Sequence, residues 1–145
     1  MLPPFNDHGD LPPGIHPASW SEIAERFGGG SHSRERALAK LRHLHELASR
    51  TGKLARFLVF GSFVSTNPTP RDVDIALVMA ADFKLEGAPR ESQTLFSHAD
   101  ADARFGASIF WLREGALPEA LWQDFVDVWQ TRRDGRKRGM VEIKP

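Results

Sequence analysis

The spacing of apolar residues along this chain switches several times between a helical and a strand-like pattern. In "SRERALAKLRHLHELASRTG" (33–52), Leu38, Leu41, Leu44 and Leu47 form one stripe with Ala37 and Ala48 beside it. That spacing predicts a helix, and Gly52 is a natural stop for it. Just upstream, "SWSEIAERFGGG" pairs Ser19 with Glu22 in a capping-box arrangement and turns Trp20, Ile23, Ala24 and Phe27 inward. "LARFLVF" (54–60) is an unbroken apolar run that predicts a buried strand ending at Gly61. A second strand is expected in "DVDIALVM" (72–79), a third in "GASIFWL" (106–112) and a short last one in "GMVEI" (139–143). "RESQTLFSHADADARF" (90–105) reads as partly helical. "LPEALWQDFVDVWQ" (117–130) reads as an amphipathic helix with Leu121, Trp122, Phe125, Val128 and Trp129 on its apolar side. Residues 1–17 carry five prolines and are expected to form an extended arm, leaving 18–145 as a single domain. Helices followed by strands interleaved with helices predict a small α+β, or mixed α/β, fold.

Composition sets few further limits. The 145 residues are 41% hydrophobic and 26% charged, with 19 basic and 19 acidic side chains. A net charge of zero offers no whole-chain attraction to nucleic acid or membrane. The distribution is uneven, however. Glu91 to Gln130 holds seven acids against Arg104 and Arg113, whereas Thr131 onward holds six bases against Asp134 and Glu142. There is no cysteine, hence no disulfide and no thiolate metal site. No apolar stretch approaches the roughly 20 residues of a membrane span, and the N-terminus lacks the features of a secretion signal. A cytoplasmic protein is the expectation.

Candidate chemistry concentrates in "FGSFVSTNPTPRDVDIALVM" (60–79). Asp is disfavoured inside strands, yet Asp72 and Asp74 stand one residue apart at the start of an apolar run, where alternation turns both to one face. Two such carboxylates must be protonated, paired with a base such as Arg71, or bound to a cation. Mg²⁺ favours a couple of carboxylates together with substrate phosphates. Gly61 permits a tight turn at the strand end, and Ser62 after it can present a hydroxyl to an anion. The bases Arg136, Lys137 and Arg138 suit phosphate or an RNA backbone, but no interleaved aromatics support base reading. His43 and His45 lie two apart on a helix and cannot chelate together, and a surface position is expected for both. His98, Asp100 and Asp102 would share a face only in an extended segment.

The whole arrangement is a strand, Gly61-Ser62, nine residues, Asp72-Val73-Asp74 and a second strand. It resembles the signature of the DNA polymerase-β-type nucleotidyltransferase superfamily. More narrowly, with "LPPGIHPASWSEIAERFG" and "RRDGRKRGMVEI", the chain is similar to small bacterial nucleotidyltransferase-like proteins. The resemblance implies a small mixed sheet flanked by helices, and Mg²⁺ (or Mn²⁺) with a nucleoside triphosphate. It implies transfer of a nucleoside monophosphate to a hydroxyl of protein or RNA, such as tRNA, within a toxin–antitoxin or defence pair. It assigns Gly61 and Ser62 to phosphate docking, and Asp72 and Asp74 to the first two metal-ligand positions. The third acid expected on a later strand is missing: "FGASIFWL" carries Ser108 there, and only Asp102 before it or Glu114 after it could stand in. A catalytically degenerate binding module, an antitoxin or regulatory subunit, is the alternative the missing acid raises.

Overall fold

The apolar runs adopt the strand conformation that their β-branched and aromatic residues favour. The computed structural model describes residues 1–144. In chain order they form β1 (Ile15–Ala18), α1 (Trp20–Phe27), α2 (His32–Ser49), β2 (Leu54–Phe60), β3 (Val73–Met79), α3 (Arg90–Gln93), α4 (His98–Phe105), β4 (Ala107–Arg113), α5 (Glu119–Trp129) and β5 (Met140–Ile143). The five strands make one mixed sheet in the order β1-β5-β2-β3-β4. β2 runs antiparallel to both β3 and β5, whereas β3 and β4 are parallel, joined through α3 and α4. The chain is therefore a mixed α+β domain.

Alternation along each strand builds two unequal cores. Phe57, Val59, Val73, Ile75, Leu77 and Ile109 face a large cluster shared with Phe27, Leu41, Leu44 and Leu47 of the helices. Leu58, Phe60, Ala76 and Met140 face the other way, into a smaller cluster with Val126 and Trp129 of α5. The capping box forms as the sequence predicts: the Glu22 amide donates to Ser19 Oγ at 3.2 Å and the Ser19 amide to Glu22 Oε1 at 3.4 Å.

Three expectations need correction. The proline-rich start ends in a strand: Ile15–Ala18 pairs parallel with Met140–Ile143 at the sheet edge, and Leu2 and Leu11 are buried. The 90–105 segment, by contrast, is partly helical as expected, with α3, a 3-10 turn over Thr94–Phe96 and α4, which Ser97 caps through the Asp100 amide. On α5, Leu121, Phe125 and Val128 are 47%, 46% and 66% exposed. Trp122, Val126 and Trp129 make the inner stripe instead, because this helix is apolar around more of its circumference than one small sheet contact covers. His45 is not a surface histidine. Its ring packs edge-on between Trp20 and Phe57, at 5.2 and 4.9 Å between centroids, and burial pushes its pKa down. His43 stays exposed beside Phe105.

Candidate functional site

Strand directions gather one end of β2, β3, β4 and β5 at a single rim of the sheet. β2 arrives there at Phe60, opposite Asp74, and the chain turns at Gly61. Gly61 has φ of 83°, and a Cβ built on it would lie 2.0 Å from Asp74 Oδ2. Only glycine satisfies both conditions, the left-handed backbone and the absence of a side chain. The bend and the second aspartate are thus packed as one unit. Ser62 opens a 3-10 turn over Ser62–Val64, and its carbonyl accepts from Ser65 Oγ at 2.7 Å.

The loop after this turn is anchored by a residue that sequence reasoning missed. Arg34, buried on α2, donates to the carbonyls of Phe27 at 3.0 Å, Phe63 at 2.9 Å, Ser65, and Asn67 at 2.5 Å. Among the described residues it has no carboxylate partner, and burial lowers its pKa. A basic residue on a helix otherwise patterned as solvent-facing at Arg36, Lys40 and Arg42 gives no sequence signal of such a role. The N-terminal stretch fastens the same loop from outside: Asp10 bridges Ser65, and the Thr66 amide donates to the Gly9 carbonyl at 2.9 Å.

Asp74 is half-buried on the α5 side of the sheet, and Asp72 lies exposed just ahead of β3. Desolvation, reinforced by the charge of Asp72, pushes the Asp74 carboxyl up to about 6; Arg138 and Ser108 pull the other way without cancelling the rise. Ser108 lies directly across from Asp74 in the parallel β3–β4 register, which is the position where the resemblance expects an acid. Glu114 does not replace it. Six residues beyond Ser108 on a strand rising about 3.3 Å per residue, it belongs to the opposite end of the sheet. Asp102 is on the exposed side of α4, where His98, Asp100 and Asp102 point apart, and the His98 ring nitrogen instead contacts the Ile109 carbonyl at 3.2 Å. Among the described residues, no three His, Cys, Asp or Glu side chains gather where they could share a metal ion.

Of the three C-terminal bases proposed as phosphate contacts, the structure brings only Arg138 to the site. β5 runs antiparallel to β2, so Arg138, just before β5, reaches the Gly61 end and acts on Asp74. It also lies 3.9 Å from buried Asp10, which Arg132 holds at 2.7 Å. Arg136 is paired with Asp134 and Lys137 with Asp127. A second missed residue is Phe110, on the same face two residues past Ser108. It is 41% exposed, and its ring is 6.3 Å from Phe60 and 5.0 Å from His98.

The fold and the rim together define a mixed α+β domain with an aspartate pair and a glycine–serine bend at one strand end. The chain belongs to a family of unknown function, DUF6932, whose model matches residues 3–144. No curated protein and no solved structure matches it. No helix among the described residues is long and apolar enough to cross a membrane.

Proposed function

We propose that this chain is a nucleotidyltransferase-type domain of the polymerase-β superfamily, binding a nucleoside triphosphate with Mg²⁺ or Mn²⁺. The observation that carries the reading is the packing of Asp74 Oδ2 into the space that Gly61 leaves by having no side chain, with Asp72 beside the same rim. The donor set fits a hard divalent cation only in part. Two carboxylates do not make an all-protein cage, but they suit an ion that completes its shell with phosphate and water oxygens. Such a cation would offset the desolvation, and the Asp72 repulsion added to it, that raise the Asp74 pKa, and would draw negative charge off the phosphates. The Gly61–Ser62 bend seats the phosphates against that pair, Arg138 supplies a positive charge behind it, and the Phe110 ring offers a face to the base.

The reaction this supports is attack of an acceptor hydroxyl oxygen on the α-phosphorus. The bond to the bridging oxygen of the β-phosphate breaks, pyrophosphate leaves, and the hydroxyl proton passes to water. Ser108 beside Asp74 favours a second reading, in which the domain binds nucleotide without transferring it, as an antitoxin or regulatory subunit. Its hydroxyl is neutral and a poor partner for a second cation, so rate suffers before affinity does. Incubation with each of ATP, CTP, GTP and UTP labelled on the α-phosphate, with Mg²⁺ or Mn²⁺ and bacterial lysate, separates the two. Label incorporation lost in Asp74→Asn supports transfer. Nucleotide binding lost in Asp74→Asn without any incorporation supports the binding module. Neither binding nor incorporation by the parent protein contradicts both.

A further inference from the structure

Arg50, Lys53, Arg56, Arg132, Arg136, Lys137 and Lys144 all pair with acids within 3.0 Å. Among the described residues other bases have no such partner, and three of these share one groove. Between α2 and the loop leading to Asp72 lies a groove of about 650 Å³, lined by Ser33, Arg36, Lys40, Thr69 and Arg71. Among the described residues, Arg36, Lys40 and Arg71 make no ion pair, and no carboxylate lines the groove. Lys40 reaches only the Gly106 carbonyl, at 3.4 Å. The groove opens onto the aspartate rim: Lys40 Nζ and Asp72 Oδ1 lie 3.2 and 3.7 Å from the point where a Cβ on Gly106 would stand.

Three unpaired cations held in a concave surface of a chain with zero net charge are a local anion site. Arg36 and Lys40 are one helical turn apart, about 6 Å along the axis, a spacing that suits successive phosphates of an extended strand. Ser33 and Thr69 add hydroxyl donors, and the groove has no aromatic side chain. That composition grips a backbone and ignores base identity. We propose that this groove docks a single-stranded polynucleotide through its phosphates, with the strand leading toward Asp72. Its service as the acceptor strand rests on the nucleotidyltransferase reading; the docking itself does not.

The test is binding of fluorescent single-stranded 20-residue RNA and DNA of mixed sequence, measured by anisotropy in EDTA so that no cation is needed. Expected are saturable binding at about 50 mM salt, little dependence on base sequence, and a log–log salt slope near −2 for three phosphate contacts. Arg36→Glu with Lys40→Glu weakens binding by about tenfold or more, Arg71→Glu weakens it further, and Lys84→Glu, an exposed charge reversal outside the groove, binds as the parent does. RNA and DNA arms show which sugar is accepted. Unchanged melting curves for the variants show that the fold is intact, since Arg36 and Arg71 are exposed. Absence of saturable binding, equal binding by the charge-reversed protein, or equally tight binding of poly-glutamate overturns the proposal. Polynucleotide binding without nucleotide binding at the aspartates leaves the groove standing and removes the proposed function. Nucleotidyl transfer with no strand binding does the reverse.

Discussion

The two faces of the sheet are built from the same strands and serve different ends. One face lies under α1, α2, α3 and α4, and its inward residues, Phe57, Val59, Ile75 and Leu77, are almost wholly removed from water. The other meets only α5, which covers Leu58, Phe60 and Ala76 but leaves Phe110 exposed and Asp74 half-buried. A closed face can be filled with hydrocarbon because nothing has to enter it. An open face carrying a bend that only glycine can make and a carboxyl of raised pKa holds a group that costs stability where it stands, which is the pattern expected where binding or chemistry occurs.

The contrast is broken most strongly from the closed side. Phe57→Ala, which empties a ring-sized volume below α2, lowers stability by about 3–5 kcal/mol in urea denaturation. Arg34→Ala leaves four carbonyls without their shared donor and lowers stability by about 3 kcal/mol. In amide exchange that variant also loses protection across residues 63–67, a local signature a general loss of packing would not give.

Changes on the open side are smaller and one has the opposite sign. Asp74→Asn is expected to raise stability by about 2 kcal/mol at neutral pH without metal, because it removes the cost of ionising a carboxyl held near 6. Between about pH 3.8 and 6 the native state keeps a proton that the unfolded chain has released, so the parent loses stability as pH rises through that window and the variant does not. His45 on the closed face works in reverse. Its native pKa is depressed, so the unfolded chain takes up the proton first and stability falls as pH drops through 6.5. Parallel melting curves of Asp74→Asn and His45→Gln across pH check both slopes. Phe110→Ala changes stability by less than about 1 kcal/mol, since its ring is already partly in water. It weakens nucleotide binding for all four bases alike, which isothermal titration would show.

Much of the closed face was legible in the sequence. "LARFLVF" predicts β2 over the residues it occupies, and the leucine stripe predicts the buried side of α2, because unbroken or evenly spaced apolar residues leave one way to hide them. The Gly61-Ser62 and Asp72-Asp74 spacing pointed to the rim, where strand pairing does set Gly61 against Asp74. What escaped was decided by distant contacts. β1 is four residues among prolines and becomes a strand only because β5, more than a hundred residues later, offers an edge. The inner stripe of α5 was misassigned because Leu121, Phe125 and Val128 are as apolar as the residues that face the sheet. Arg34 and the unpaired Arg36, Lys40 and Arg71 look alike in sequence; only the loop folding over α2 buries the first and leaves the others open.

The account rests on the aspartate pair and the glycine–serine bend acting together as a seat for a divalent cation and its polyphosphate. Thermal melting of the parent protein and of Asp74→Asn, each titrated with Mn²⁺ and a non-hydrolysable nucleoside triphosphate, addresses that directly. The melting temperature of the parent should climb with ligand concentration while that of the variant, higher at the outset, stays flat. A parent that does not respond, or a variant that responds equally, would contradict it.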